Sequence, residues 1–271
     1  MTTVGTQTIL DTTSDTGVGL RYRSDQSAST PIRESAPSGY VAVKTAGEWL
    51  IALMLVIVTS PLMLVLALAV KLTSSGPAFY AQTRLGKFGR HYRILKLRTM
   101  RNNAEAHTGP VWASQDDVRI TKIGRILRDT HLDELPQLWN VLRGEMGLIG
   151  PRPERPELAA RLERQMPQFS ERLKVRPGIT GLAQMLVPAD DPSDPMLRVS
   201  RMKLSNDLLY VRKMSFLLDT RIAFSTFCYF FSAGISSIGR SSIRKYGRHA
   251  VDQYKVGLSR ERAVDVEKAA V

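Results

Sequence analysis

The sequence predicts a mostly helical α+β protein seated in and on a membrane, and three observations predict it. Trp49 to Val70, WLIALMLVIVTSPLMLVLALAV, carries no charge. At ~1.5 Å per residue such a run can cover a bilayer core of about 30 Å. Residues 74–100 alternate β-type side chains with glycine turns, as a small hairpin does. Residues 118–142, and those from Arg201 onward, repeat their apolar side chains at helical spacing instead.

The bulk composition narrows the partners. The 271 residues suffice for one large domain or two small ones with a packed core. Lys and Arg number 38 against 25 Asp and Glu, a net charge of +13 that calls for a polyanion: nucleic acid, an anionic membrane face or a phosphorylated substrate. The single cysteine, Cys228, excludes an intrachain disulfide. His91, His107, His131 and His249 offer no zinc-type spacing. No nucleic-acid-reading motif occurs and the basic residues interleave with apolar stripes, so nucleic acid is not an expected partner.

Taken in order, residues 1–44 are rich in Thr, Ser and Gly without periodicity and are expected to be a disordered lead. The apolar segment follows. It is too long, and its lead too long, for a signal peptide. Within it Ser60-Pro61 removes one backbone donor and frees the carbonyl of Ile57. Lys44 lies before the segment, and Lys71, Arg84, Lys87 and Arg90 after it, so both flanks are basic. Hydropathy alone leaves a full span and a re-entrant segment equally open.

VRITKIGRILRD (118–129) places Ile120, Ile123, Ile126 and Leu127 on one stripe, the pattern of an interfacial amphipathic helix or of a surface helix on a core. Residues 154–174 read as a charged, exposed helix broken near Pro167. RPGITG (176–181) is a turn and PADDPSDP (188–195) an acidic loop. From Arg201 a helix turns Leu204, Leu208 and Leu209 inward. IAFSTFCYFFSAGISSI (222–238) reads as a second membrane-seated or buried helix, and 239–271 as a basic tail.

The chemistry lies in HLDELPQLWNVLRGEMGLIGPRPE (131–154). A helix from about Leu132 to Leu142 gathers Leu135, Leu138, Trp139 and Leu142 on one face and Asp133, Gln137 and Asn140 on another. Pro136 fits the first turn, where its missing N–H has no intrahelical partner. Asp133 and Glu134 therefore stand at a helix N-terminus, where an anion is also favoured. Two carboxylates beside a phosphate repel it unless a hard divalent cation bridges them, so Mg²⁺ is the expected cofactor, with Asp133 and Glu134 as its candidate ligands. One carboxylate can then attack phosphorus while the other serves the metal. Arg125 and Arg128 lie just upstream. Arg152 is fixed between Pro151 and Pro153, and Arg176 precedes a Pro-Gly turn whose donors at Gly178 to Gly181 suit an anion nest.

With those residues in view, the chain resembles the bacterial sugar transferases, the monotopic polyprenyl-phosphate phosphoglycosyl transferases, and within them the exopolysaccharide-type branch. TSPLMLVLALAVKL, GPAFYAQTRLGKFGRHYRILKLRTM, DVRITKIGRILRDTHLDELPQLWNVLRGEMGLIGPRPE, VRPGITGLAQ and KLSNDLLYVRKMSFLLDTRI carry the resemblance, over roughly 45–230. It implies transfer of a sugar-1-phosphate from a nucleotide diphosphate sugar, a UDP-sugar, to undecaprenyl phosphate, the first membrane step of exopolysaccharide or related glycan synthesis. Asp133 would take the sugar-phosphate covalently and Glu134 would serve Mg²⁺. The family's phosphate-binding positions map to Lys96, Arg98, Arg128 and Arg152.

The resemblance also makes Ser60-Pro61 the break of a re-entrant helix hairpin. The expected layout is a lead (1–44), a re-entrant membrane helix (45–72), a cytoplasmic catalytic domain (73–238) and a tail (239–271). That layout places the chain on the cytoplasmic face of a bacterial inner membrane, in contact with its lipid. A homo-oligomer is left open, and the additional four-helix membrane domain of longer relatives is not expected, since nothing apolar precedes Trp49. The alternative is a membrane-tethered basic scaffold or an anionic-ligand-binding protein without catalysis.

Overall fold

The structure, a computed structural model, describes residues 38–105, 117–187 and 198–231. The expected acidic loop at 188–195, the tail at 239–271 and residues 1–37 of the lead lie outside the described residues.

Helix α1 runs from Ser38 to Thr73, so it starts within the stretch expected to precede it, and it is continuous through Pro61. The two hydroxyl side chains just before it make this tolerable. Pro61 cannot donate to Ile57, but Ser60 Oγ donates to that carbonyl at 2.9 Å, and Thr59 Oγ1 donates to Leu55 at 2.7 Å. The two-limbed hairpin is thus not seen as two separate elements. One narrow stripe of α1, Glu48, Ala52, Val56, Met63 and Val70, is buried at helical spacing. Leu50, Met54, Val58, Leu64 and Leu68 on its other faces are exposed.

The expected hairpin is present: β1 (Phe79–Leu85) pairs antiparallel with β2 (His91–Leu97) in the register Phe79↔Leu97 to Leu85↔His91. Helix α2 (Lys122–Asp129) is capped by Thr121, whose side chain accepts from Gly124 N–H. Of its expected stripe Leu127 is buried and Ile123 half-buried, whereas Ile126 faces outward. After a 3₁₀ turn at Leu132–Glu134 come α3 (Gln137–Leu142) and β3 (Gly147–Ile149). Then follow α4 (Pro156–Gln165), a 3₁₀ segment at Pro167–Lys174, and β4 (Gly178–Thr180), which pairs parallel with β3. Helices α5 (Leu182–Leu186), α6 (Arg198–Lys213) and α7 (Phe216–Phe231) complete the described chain.

The break near Pro167 falls where the sequence places it, but the segment around it is not simply exposed. Leu158, Ala159, Leu162 and Phe169 pack with Leu85, Leu204 and Leu208 in one core, and Arg172 is buried too. A second core joins Ala52 and Val56 of α1 to Tyr92 and Ile94 of β2 and Leu138 and Val141 of α3. A third gathers Ile149, Leu182, Leu209, Tyr210 and Ile222, so α5, α6 and α7 close over the β3–β4 pair. Helix α7 begins six residues ahead of the predicted apolar stretch and leaves Phe216, Leu217, Phe224 and Phe227 exposed.

Candidate active site

The segment predicted as one helix over 132–142 is two elements. His131 adopts a left-handed conformation (φ 56°) ahead of the 3₁₀ turn, and Pro136 caps α3. Proline has no N–H for Leu132, so that carbonyl accepts from Leu135 N–H at 3.4 Å and the turn tightens to 3₁₀ before α3 begins.

The polar face of this segment is the more deeply buried one. Asn140 is 0% and Gln137 1% exposed, while Trp139 of the apolar set is 45% exposed. Asn140 explains the inversion. Its Oδ1 accepts from Leu95 N–H at 2.9 Å, and its Nδ2 donates to Arg93 O at 2.8 Å and to Glu145 Oε2 at 2.6 Å. One side chain thereby fastens α3 to the middle of β2, and the next strand residue, Lys96, comes to the carboxylates.

Lys96 Nζ lies 2.7 Å from Glu134 Oε1, and Arg152 donates to the same oxygen at 2.6 Å. Burial alone would raise the Glu134 carboxyl, but Arg152 and Lys96 together hold it well below the usual carboxylate range. Arg152 is itself braced through its backbone. Arg172 donates to its carbonyl at 2.7 Å while pairing with Asp207 at 2.7 Å, and Arg84 donates to Pro153 O at 3.2 Å. Two glycines seat the same loop against β4, since Gly178 N–H donates to Pro151 O at 3.0 Å. A Cβ on Gly178 would stand 2.1 Å from Gly150 N, so neither strand could carry a side chain there.

Asp133 is different from its neighbour. It is 6% exposed, and its side chain makes no hydrogen bond or ion pair among the described residues. Burial raises its carboxyl, with Glu134 adding to the effect; Lys96, Arg128 and Arg152 oppose it from a distance. Neither of its carboxylate oxygens is among the fully buried polar atoms left without a partner, so both keep some access to solvent in an otherwise buried residue. Arg128 is held by a bond from its Nε to Thr99 Oγ1 at 2.9 Å.

Lys96, Arg128 and Arg152 are thus brought to the carboxylate pair, and two other expected cations are not. Arg98 is buried and donates to Ser74 O at 2.8 Å, to Ser75 O at 2.6 Å and to Ser74 Oγ, so its guanidinium satisfies the carbonyls just past the end of α1. Arg176 bonds Thr45 of α1 and lines a separate cavity. The expected nest at 178–181 is also not formed, because Gly178 N–H already serves Pro151 and residues 178–180 are strand. Arg125 is exposed on α2.

A cavity of about 970 Å³ opens beside the site. Glu134, Arg152, Arg172 and Asp207 form its charged wall, and Leu55, Leu148, Ile179 and Ala183 an apolar one. Arg172 and Asp207 escaped the sequence reading, and Arg84 entered it only as a basic flank of the apolar segment. Arg172 and Asp207 lie on different elements, and no spacing announces a pair made only by folding.

The carboxylate pair suits a hard cation of the Mg²⁺ kind. Asp133 brings unpartnered oxygens, and among the described residues no group of three or more His, Cys, Asp or Glu forms a closed metal cage. Magnesium is usually held by one or two carboxylates together with substrate phosphate oxygens, which is what this pair allows.

The cavity thus joins a charged cluster to a larger apolar lining beside the paired carboxylates, on a domain that carries one long apolar helix. The model of the family described as bacterial sugar transferase matches residues 39–233. The chain belongs to that family. A UDP-N-acetylgalactosamine-undecaprenyl-phosphate N-acetylgalactosaminephosphotransferase of Aeromonas hydrophila is 40% identical over 191 residues, 69% of this chain and 43% of that protein. A UDP-glucose:undecaprenyl-phosphate glucose-1-phosphate transferase of Xanthomonas campestris pv. campestris is 36% identical over 209 residues, 75% of this chain and 43% of that protein. This bacterial sugar transferase therefore aligns with less than half the length of those two. Against the exopolysaccharide production protein PSS of Rhizobium leguminosarum bv. phaseoli it is 38% identical over 192 residues, 69% of this chain and 94% of that one.

Proposed function

We infer that the chain transfers a sugar-1-phosphate from a UDP-sugar to undecaprenyl phosphate, in two steps through Asp133, and so begins exopolysaccharide or related glycan synthesis. The observation that carries this reading is the asymmetry of the carboxylate pair: Glu134 is clamped by Lys96 and Arg152, whereas Asp133 is buried with no partner.

In the first step a carboxylate oxygen of Asp133 bonds to the sugar-bearing phosphorus. The bond from that phosphorus to the bridging oxygen breaks, and UMP leaves with its electron pair. In the second step an oxygen of the lipid phosphate bonds to the same phosphorus, and the bond to Asp133 breaks to return the carboxylate. Burial raises the basicity of Asp133 and so its nucleophilicity, while Lys96, Arg128 and Arg152 keep the ionised form accessible. Lys96 and Arg152 supply positive charge where the donor's phosphates must lie. Glu134 and Asp133 would hold a Mg²⁺ ion, which would supply charge neutralisation there.

The apolar wall of the cavity suits a polyprenyl chain. The position of α1 favours a segment that enters and leaves one leaflet, the cytoplasmic one of the inner membrane. Its first half is tied to the domain by Tyr40 to Asp219 at 2.5 Å and by Trp49 to Leu142, and its far end by Arg98 to Ser74. A bilayer crossing would place those ends in different compartments.

Turnover of UDP-sugar with undecaprenyl phosphate, read as UMP release, tests the reading. Wild type should release UMP and Asp133→Asn should not. Full UMP release by Asp133→Asn would remove Asp133 from the role.

A further inference from the structure

The cavity that holds Arg176 lies apart from the carboxylate pair, encloses about 550 Å³ and shares no lining residue with the larger one. Six Lys and Arg side chains line it against two acids, Glu48 and Glu145. Both acids serve the framework: Glu48 accepts from Ile149 N–H at 3.0 Å and from Lys44, and Glu145 accepts from Asn140. Lys44 and Lys174 are likewise paired with carboxylates, Lys44 with Asp219 as well as Glu48, and Lys174 with Glu171. Arg90 and Arg143 are not. Their side chains make no hydrogen bond or ion pair among the described residues, and they come from different segments, the hairpin turn and the end of α3. With Arg176 ahead of β4, three segments bring guanidinium groups to one cavity.

Its place in the fold gives the ligand class. Val41, Lys44 and Glu48 of α1 form one wall. One residue on, Trp49 donates from its indole to Leu142 O at 3.0 Å, beside Arg143. The exposed apolar surface of α1 follows directly, at Leu50, Ile51 and Met54. Tryptophan and arginine at the start of such a surface mark the membrane–water interface.

We propose that this cavity is a second phosphate site, in which Arg90, Arg143 and Arg176 hold the phosphate headgroup of an anionic membrane lipid and set the domain on the bilayer. Guanidinium groups suit phosphate through paired N–H donors. A basic pocket beside a membrane helix is how acidic headgroups are held.

The full chain in nanodiscs of mixed phosphatidylcholine and phosphatidylglycerol, released into a native mass spectrometer, tests the site without any turnover. Wild type should retain phosphatidylglycerol, and Arg90→Gln with Arg143→Gln should lower that retention by about tenfold or more. Arg161→Gln with Arg164→Gln removes the same charge from the exposed face of α4 and should leave retention unchanged. A parallel calorimetric titration with inorganic phosphate in detergent separates the sources. Phosphate binding that the first pair abolishes, without lipid retention, keeps the site and assigns it to a soluble phosphate compound. Equal loss in both pairs, or no loss in either, overturns the proposal.

Discussion

Arg152, in the loop that joins β3 to α4, donates to Glu134 at 2.6 Å, and this contact gives two adjacent carboxylates opposite characters. Glu134 is neutralised by Arg152 and Lys96 together; Asp133, one residue away, is buried without either as a direct partner.

Replacing Asp133 by Asn removes the buried charge and keeps the shape. Turnover should fall by at least about 10³-fold. Stability should rise by about 1 kcal/mol, because an amide is cheaper to bury than a carboxylate. Thermal unfolding and UMP release measured on one preparation check both. A variant that loses activity and melts earlier would instead make Asp133 structural.

Arg98 should behave as a structural residue despite its place in KLRTM. Arg98→Ala leaves the Ser74 and Ser75 carbonyls without their donor, at a cost of roughly 1–3 kcal/mol. Turnover per folded molecule should stay within about threefold. Denaturant melts show the first effect and steady-state rates the second; a tenfold or larger drop in rate with an unchanged melt would return Arg98 to the phosphate site.

The architecture of the anchor was legible in part. Charge-free composition marked α1, and the glycine-punctuated alternation marked the β1–β2 hairpin, because each signal is local. The carboxylates and the GPRP arginine were legible for the same reason. What the residues did not disclose is which polar groups fasten the frame. Asn140 sat on the predicted polar face but is fully buried, since its partners, Arg93 O and Leu95 N–H, lie 45 or more positions away. The family resemblance points to Arg98 as a phosphate arginine and the Pro-Gly turn points to Arg176, yet what they reach depends on where α1 lies against the domain.

Asn140→Ala should therefore be among the more damaging changes outside the catalytic pair. It orphans a buried donor on Leu95 and an acceptor on Arg93, roughly 2–4 kcal/mol together. Because the same bonds bring Lys96 to Glu134, kcat should fall as well. Hydrogen exchange at Leu95 would report the loss directly, and unchanged protection there would contradict the assignment.

Asp207 gives the fold a pH dependence. Burial outweighs the adjacent Arg172 and pushes its carboxyl up to about 6. The folded state thus keeps a proton that the unfolded chain has already lost. The stabilisation linked to this proton is full below the ordinary carboxylate range and is lost as pH rises through about 6. Denaturant unfolding at about pH 5 and about pH 7 should show this group's share of the slope, and Asp207→Asn should remove it. The same slope in both proteins would assign it to another group.

If Asp133 carries the sugar-phosphate between donor and lipid, intact-mass analysis during reaction will catch it in transit. Mixed with a UDP-sugar and no lipid, wild type should gain the mass of one sugar-phosphate, lose it when undecaprenyl phosphate is added, and gain nothing as Asp133→Asn. Unmodified polypeptide throughout productive turnover would remove Asp133 from this role and require direct transfer between the two substrates.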